Sequence, residues 1–336
     1  MFIVQNYPFA VLLCLITMLC WGSWGNTQKL AAKTWRYELF YWDYVIGIVL
    51  LSLILGFTLG SIGGQGRSFI DDIVQVDANN FWNAFVGGII FNASNILLSA
   101  SISLAGMSVA FPVGVGLALV LGVFINYSGA PKGDPVILFA GVVLIVIAII
   151  LNGLASGKVS SGTEAGRNKR KGIIIAVCAG ILMSFFYRFV ASAMDLNNLE
   201  NPTPGMLTPY GAFFIFSSGI LASNFIFNTV VMKRPFLGEP VSYSQYFKGS
   251  LGTHSVGIFG GIIWGVGTAL SYIAAGKAGP AISYALGQGA PMIAALWGVF
   301  IWKEFKGASK PVNLLLTLMF ILFIGGLAMI VISGGS

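Results

Sequence analysis

Charged residues are scarce in this sequence. Asp, Glu, Lys and Arg make up 9% of its 336 residues, while 57% are hydrophobic. A soluble globular domain carries about a quarter charged residues, so this shortage of charge excludes a soluble fold. The charges occur in short islands between apolar stretches of about twenty residues, the length that a helix needs to cross a hydrocarbon core about 30 Å thick.

Residues that carry chemistry are equally rare. The sequence has 1 histidine and 3 cysteines. Cys14, Cys20 and Cys178 all fall inside apolar runs, without the spacing of a metal site or of a disulfide framework. No phosphate-binding Gly-Lys-Ser/Thr loop, no cluster of histidines and carboxylates and no nucleophile elbow occurs. We therefore expect neither a cofactor nor a metal ion, and neither an ATP-driven pump nor an enzyme.

Ten apolar runs are long enough to cross a membrane. Because a backbone in lipid must satisfy its own hydrogen bonds, each run is predicted to be a helix. The fold class that follows is an all-α polytopic membrane protein with ten transmembrane helices. The predicted helices cover residues 8–28, 41–62, 81–103, 107–127, 135–156, 172–193, 207–231, 255–275, 280–301 and 312–333.

The basic residues predict the orientation of these helices. If each loop is numbered by the helix before it, the odd loops hold nearly all Lys and Arg, whereas the even loops have only Arg67, Lys132 and Lys277. The positive-inside rule then places the odd loops in the cytoplasm and both termini outside, in the cell (inner) membrane. The net charge of +7 reflects this topology. The expected partner is the lipid bilayer, and no nucleic acid is expected.

An internal repeat divides the chain. The run Gly-Gly-Ile-Ile-Phe at 87–91 returns as Gly-Gly-Ile-Ile-Trp at 260–264, and Gly106 matches Gly279 at the same offset of 173 residues. Two five-helix repeats are therefore predicted. Because five is an odd number, the second repeat must be inverted relative to the first, which is the architecture that lets a transporter expose one site alternately to each side.

The repeats also have predicted bounds and a predicted cavity. The first covers 1–157 and the second 172–336, with a basic cytoplasmic linker at 158–171. The fifth and tenth helices are almost wholly aliphatic and are predicted to face lipid or a partner chain. Polar stripes on the third and eighth helices predict the walls of a central cavity, and helix packing is the alternative. The stripes consist of Asn92, Asn95, Ser99 and Ser103, and of Gly265, Thr268 and Tyr272.

Short motifs accompany the ten helices and the aliphatic fifth and tenth helices: Trp21, Gly22, Ser23 and Trp24, then Trp42, Asp43 and Tyr44, the segment 59–63, and Gly87, Gly88, Asn95, Gly106 and Ser108. Together these features resemble the drug/metabolite transporter superfamily, and within it most closely the ureide permeases. Permeases for glucose and ribose uptake are related. The resemblance covers the whole membrane part, but the plant ureide permeases have a long central hydrophilic loop where this chain has its short linker. It implies uptake of small neutral polar compounds, often with protons.

Two deep charges are candidates for function. Asp43 lies near the start of the second helix and is the candidate for proton coupling, since intramembrane carboxylates are costly. Its alternative role is that of a structural carboxylate in an interfacial aromatic belt. Arg188 lies well inside the sixth helix, where its planar fork suits carbonyl-rich substrates. Its alternative is snorkelling to the outer interface.

Neutral side chains complete the predicted substrate site. Trp24 closes the first helix and could stack on a sugar or heterocycle, or anchor the interface. Tyr284 and Gln288 lie one turn apart before Pro291, where a break in the ninth helix would free backbone groups. His254 is expected to be solvated. The complete substrate-binding prediction is Trp24, Asn92, Asn95, Arg188, Thr268, Tyr272, Tyr284 and Gln288.

The predicted function is uptake of a small neutral polar solute by a secondary transporter with alternating access. A sugar such as a pentose and a ureide or nucleobase fit equally well, and protons are the candidate coupling ions. A polyspecific exporter is the first alternative and predicts a mainly aromatic and Met-lined cavity. A membrane scaffold or enzyme subunit without an accessible cavity is the second.

Overall fold

The computed structural model describes residues 1–159 and 163–335. Within this part of the chain, ten helices are long and apolar enough to cross a membrane, which confirms the predicted fold class. The ten helices are α1 (Tyr7–Ala31), α2 (Tyr37–Phe57), α3 (Ala78–Ala105), α4 (Phe111–Gly129), α5 (Pro135–Ser156), α6 (Asn168–Ala193), α7 (Pro209–Lys233), α8 (Leu251–Ala278), α9 (Pro280–Ile301) and α10 (Lys310–Gly335).

Some boundaries differ from the predicted ones. The second helix begins at Tyr37, not at 41, because the aromatic residues at its start are buried and take part in the helix. Helical structure continues from α5 to Val159 and precedes α6 from Thr163. Helices thus enter the predicted linker from both sides, and the remaining linker residues, 160–162, lie outside the described part of the chain.

In each half of the chain, a short helix follows the second spanning helix. One, Phe69–Gln75, follows α2, and the other, Tyr243–Phe247, follows α7. Ser68 and Ser242 cap them, each accepting a hydrogen bond from the backbone N–H three residues on. Both helices connect the second and third spanning helices of a five-helix half, so they occupy corresponding places.

Paired glycines bring the backbones of four helices together. A Cβ on Gly88 of α3 would collide with the Phe216 carbonyl of α7, and one on Gly261 of α8 would collide with the Tyr44 carbonyl of α2. The partner helices contribute Gly219 and Gly47 in the same way. Since Gly88 and Gly261 are 173 residues apart, the two halves make the same crossing. Only glycine permits this closeness.

The ends of the two central helices repeat as well. After α3 the chain turns at Gly106 with φ 81° and ψ 159°, and after α8 it turns at Gly279 with φ 82° and ψ 155°. This region of backbone conformation is open essentially only to glycine. The packing of these two helices also corresponds between the halves. Helix α3 packs against α6 and α7, and helix α8 packs against α1 and α2. Both observations are consistent with the predicted inverted repeat.

Helices α5 and α10 form the outer layer. They pack mainly on each other. About one third of the residues in the most apolar stretch of each is buried, against one half or more in the other eight helices. The core therefore lies among α1–α4 and α6–α9, where the polar stripes were predicted to converge.

The basic loops lie at one end of the molecule. Lys29, in the last turn of α1, pairs with Glu304, after α9, at 2.6 Å. Arg36 donates a hydrogen bond to the carbonyl of Leu237, after α7, at 2.8 Å. We call this the basic-loop end. The loops after α2 and α6 meet at the opposite end, where Arg67 donates to the carbonyl of Pro202 at 2.7 Å.

Candidate substrate site

A central cavity lies where the two halves meet. Its volume is about 20 Å³, room for about one water molecule, so a substrate enters only when the helices or side chains around it move. Among the described residues that line it, none is charged. They are Trp21, Trp24, Phe91, Asn95, Leu98, Phe111, Val115, Met183, Phe186, Trp264, Gln288 and Ala290.

Gln288 reaches the cavity through a break in α9. The helix stops at Gly287 and resumes at Ala290, with Gln288 at φ −72° and ψ 0°. Pro291 has no backbone N–H and cannot complete a regular helix across this point. The side chain of Gln288 is 2% exposed and lines the cavity. The break therefore lies where the sequence predicted it.

Two further helices are irregular at the cavity. Helix α1 is interrupted at Trp24, between Ser23 and Gly25. Helix α4 begins with a π-helical turn from Phe111 to Val115, both of which line the cavity. Irregular backbone at membrane depth is tolerated where it is buried in protein or lines a cavity, and π-turns are frequent at functional sites.

Half of the residues that line the cavity are aromatic. Trp264 stacks on Phe91 with centroids 4.2 Å apart, and Trp21 lies nearly parallel to Trp264 at 6.1 Å. Trp24, which the sequence analysis singled out, lines the cavity and contacts Tyr44 with ring centroids 4.8 Å apart. Phe91 and Trp264 occupy equivalent places in the two predicted repeats. That equivalence is the signal from which they could have been found.

The two asparagines of α3 have different surroundings. Asn95 lines the cavity, and its Nδ2 donates a hydrogen bond to the hydroxyl of Tyr41 at 3.3 Å. Asn92 instead points to α7, where its Nδ2 donates to the Ser223 hydroxyl at 2.9 Å. Of the predicted polar stripe on α3, only Asn95 lines the central cavity.

Three predicted site residues lie behind the wall. The Thr268 hydroxyl accepts a hydrogen bond from Trp21 Nε1 at 3.1 Å and thereby positions that ring. Tyr272 is fully buried, with its ring centroid 5.3 Å from that of Tyr187. Tyr284 donates its hydroxyl hydrogen to carbonyls of α4 and α6, at 3.1 and 3.3 Å. These residues join helices and are not among the lining residues.

Arg188 lies in a separate, larger cavity of about 460 Å³ at the end opposite the basic loops, which also includes Lys132 and Asp195. Its guanidinium rests on Gly129 of α4, where any side chain would collide with it. Burial raises the pKa of Asp195, but hydrogen bonds from Thr203 and Asn198 outweigh that effect and hold it below its usual value. In the orientation that the basic loops predict, this cavity faces outward, and we call it the outer vestibule.

Asp43 belongs to a hydrogen-bonded cluster at the basic-loop end. It is 1% exposed, and its Oδ1 accepts from the Tyr246 hydroxyl and pairs with His254 Nδ1, both at 2.7 Å. Its Oδ2 accepts from Trp35 Nε1 at 3.2 Å. His254, which was expected to be solvated, keeps 21% of its side chain exposed, and its ring is also bound to Asp43. Neither residue lines the central cavity.

A ten-helix membrane protein with a broken helix at a cavity between two similarly packed halves has the architecture of a secondary transporter. The family model described as Ureide permease matches residues 40–171 and 158–333. The chain belongs to the ureide permease family. This membership confirms the resemblance inferred from its motifs, and with it the reading as a multi-pass permease.

Relatives match along the full chain. Ureide permease 1 and Ureide permease 2 of Arabidopsis thaliana are 24% and 25% identical, each over 100% of this chain and 99% of its own length. Probable glucose uptake protein GlcU of Priestia megaterium is 25% identical over 67% of this chain and 70% of its own. One solved crystal structure shares the fold, with a TM-score of 0.61 at 16% identity over 97% of this chain and 96% of its own.

Proposed function

We propose that this permease takes up a small, neutral, polar solute of the ureide or nucleobase type by alternating access. The observation that carries the proposal is the pairing of two carboxamides, Asn95 and Gln288, with indole rings in an uncharged cavity. A carboxamide offers both a donor and an acceptor, which matches the alternating N–H and C=O groups of ureides and nucleobases. Flat rings stack on the indoles.

A sugar is the second candidate substrate. Tryptophan faces also pack on sugar rings, and the carboxamides can bind hydroxyl groups. The similarity to a relative named as a glucose uptake protein favours this candidate. The proposed direction of transport, from outside to inside, is supported by the relative that is named as a glucose uptake protein.

The composition of the central cavity bears on the exporter alternative. Six of the lining residues are aromatic and one is Met183, which is the composition that the sequence analysis assigned to a polyspecific exporter. Family membership favours uptake nevertheless. The carboxamides of Asn95 and Gln288 are the groups that a purely hydrophobic substrate would leave without a partner, at a cost of about 1 to 3 kcal/mol for each unsatisfied group.

Binding to the purified protein tests the substrate class. In detergent, allantoin, uracil and xanthine are expected to raise the apparent melting temperature, since a ligand of the folded state stabilises it. Ribose, xylose and glucose form the second panel, and hydrophobic cations the third. A shift from the sugars alone would select the sugar candidate, whereas a shift from the cations alone would overturn uptake of polar solutes.

Arg188 is proposed to receive the substrate in the outer vestibule. Two parallel N–H donors can hold one carbonyl-bearing group before it passes to the central cavity. Replacement Arg188→Gln is expected to raise the transport KM about tenfold with little change in kcat, because a charge-assisted hydrogen bond is lost. Arg188→Lys should restore the affinity only partly. Unchanged kinetics in both variants would assign Arg188 to the interface alone.

A further inference from the structure

The cluster around Asp43 joins three separate parts of the chain. Asp43 belongs to α2, Tyr246 to the short helix after α7, and His254 to the first turn of α8. A Cβ on Gly257, one turn after His254, would collide with the side chain of Asp43, so α2 and α8 touch here. The carboxylate therefore fixes the short helix and α8 to the beginning of α2.

A second cluster occupies the corresponding place at the opposite end. Asp72, in the short helix after α2, accepts hydrogen bonds from the backbone N–H and hydroxyl of Thr208 at 2.9 and 2.8 Å. Thr208 caps the beginning of α7. Arg67 pairs with Asp72 at 3.1 Å. In each half, then, a short helix is hydrogen-bonded to the beginning of the other half's second helix. We call these two clusters, one around Asp43 and one around Asp72, the clasps.

The two clasps lie at opposite ends because α2 and α7 are antiparallel. Asn228, near the end of α7, donates to the carbonyl of Glu38, near the beginning of α2, at 2.9 Å. Further along, the hydroxyls of Ser52 and Ser217 lie 2.8 Å apart. One clasp thus holds each end of the molecule.

Only the clasp at the basic-loop end contains a histidine, and His254 is the only one in the chain. Histidine is the side chain whose charge changes between about pH 5 and pH 8. Among the other charged or titratable groups, Tyr246 contacts the pair, Lys248 lies two residues after Tyr246, and Arg36 follows Trp35. Burial, and then Asp43, raise the pKa of Tyr246, which remains a neutral donor. Arg36 is paired with Glu38.

The clasp borders a cavity that opens at the same end. Trp35, which donates to Asp43, lines this cavity of about 230 Å³ together with Gln28 of α1 and Ser103 of α3. At its floor, Gln28 Nε2 donates to the Ser99 carbonyl at 3.0 Å, and the Ser99 hydroxyl donates back to Gln28 Oε1 at 3.0 Å. These bonds join α1 to α3 beneath the cavity.

We infer that Asp43 and His254 form a proton-binding site that holds the basic-loop end of the permease closed. A proton on His254 converts its hydrogen bond to the Asp43 carboxylate into an ion pair, and the attraction between the two opposite charges strengthens this contact. The closed state therefore binds the proton more tightly than the open state. The basic-loop end opens more readily as the pH rises. This inference rests on the proposed alternating access.

Thiol labelling measures the opening without any substrate. Ser99, fully buried at the floor, is replaced by Cys after Cys14, Cys20 and Cys178 have been replaced by Ser. A membrane-impermeant methanethiosulfonate reagent is applied to vesicles that present the basic-loop end, between about pH 6 and pH 8. The window stops there because burial raises the pKa of Asp72, despite its bonds to Thr208 and Arg67, and a lower pH would titrate the other clasp.

The intrinsic reactivity of the thiol also rises with pH, so each rate is divided by the rate in the His254→Gln variant. This ratio of labelling rates for Ser99→Cys is expected to increase by on the order of fivefold between about pH 6 and about pH 8. His254→Lys, which carries a fixed charge, should label slowly throughout. Thr208→Ala, at the other clasp, should leave the pH dependence intact.

A ratio that does not change with pH would overturn the proton site, whether or not any substrate is transported. Loss of the pH dependence in Thr208→Ala as well would also overturn it, because the effect would then not be local. Failure of uptake with a normal labelling profile would count against the proposed substrate and not against the clasp.

Discussion

Replacement of Gln288 by Ala is expected to lower kcat/KM for the substrate by about 10- to 100-fold. The reason is that the carboxamide lies at the broken helix, is buried, and lines an uncharged cavity. A substrate group that loses this partner inside the protein stays unsatisfied, which costs about 1 to 3 kcal/mol. Each 1.4 kcal/mol is a factor of about ten. Initial uptake rates into proteoliposomes provide the measurement.

The matched control for this variant is Asn126→Ala. Asn126 is also a fully buried carboxamide in a spanning helix, but its Nδ2 donates to the Gly122 carbonyl of its own helix at 2.8 Å, and it does not line the central cavity. Its removal should leave uptake within about twofold of wild type. Equal uptake by Gln288→Ala and wild type, at equal amounts of folded protein, would remove Gln288 from the substrate site.

The backbone architecture could be predicted because lipid permits few alternatives. Helix number followed from apolar length, and the equivalent glycines at 88 and 261 followed from a repeat visible in the sequence. The break at Gln288 was also predictable, since Pro291 forbids a regular helix there. These features depend on local chemistry, which a single sequence records directly.

The cavity wall was harder to predict because it depends on which neighbour covers each face. Periodicity placed Asn92, Asn95 and Thr268 on the inner sides of α3 and α8. It did not reveal that Asn92 is hydrogen-bonded to Ser223 of α7, or that Thr268 is hydrogen-bonded to Trp21. A stripe gives the direction of a side chain from its own helix, whereas lining depends on the packing of several helices.

The site of Asp43 shows the same limit. Its position in an aromatic stretch at the beginning of α2 suggested an interfacial carboxylate as the alternative to a coupling role. In the structure it is buried and bound by two groups more than 200 residues away, Tyr246 of the short helix after α7 and His254 of the first turn of α8. No local pattern around the single histidine indicates that pairing. Long-range partners of this kind require the fold.

Replacement of Gly261 by Val is expected to prevent correct folding. Its Cβ would collide with the backbone carbonyl of Tyr44, and a backbone atom in a packed helix cannot turn away as a flexible side chain can. Overpacking of a core costs about 1 to 3 kcal/mol, and more where nothing yields, against a total stability of about 5 to 15 kcal/mol. We expect little monodisperse protein on size-exclusion chromatography in detergent.

Gly153→Val is the matched control, because Gly153 lies in the outer helix α5 and a Cβ there would meet nothing within 4 Å. It should elute and melt like wild type, with a change below about 1 kcal/mol. Gly88→Val should fail as Gly261→Val does, since Gly88 makes the equivalent crossing with the carbonyl of Phe216. If Gly261→Val folds and Gly88→Val does not, the two crossings are not equivalent. Only a matching loss in both variants, with Gly153→Val intact, supports two halves built on the same helix contact.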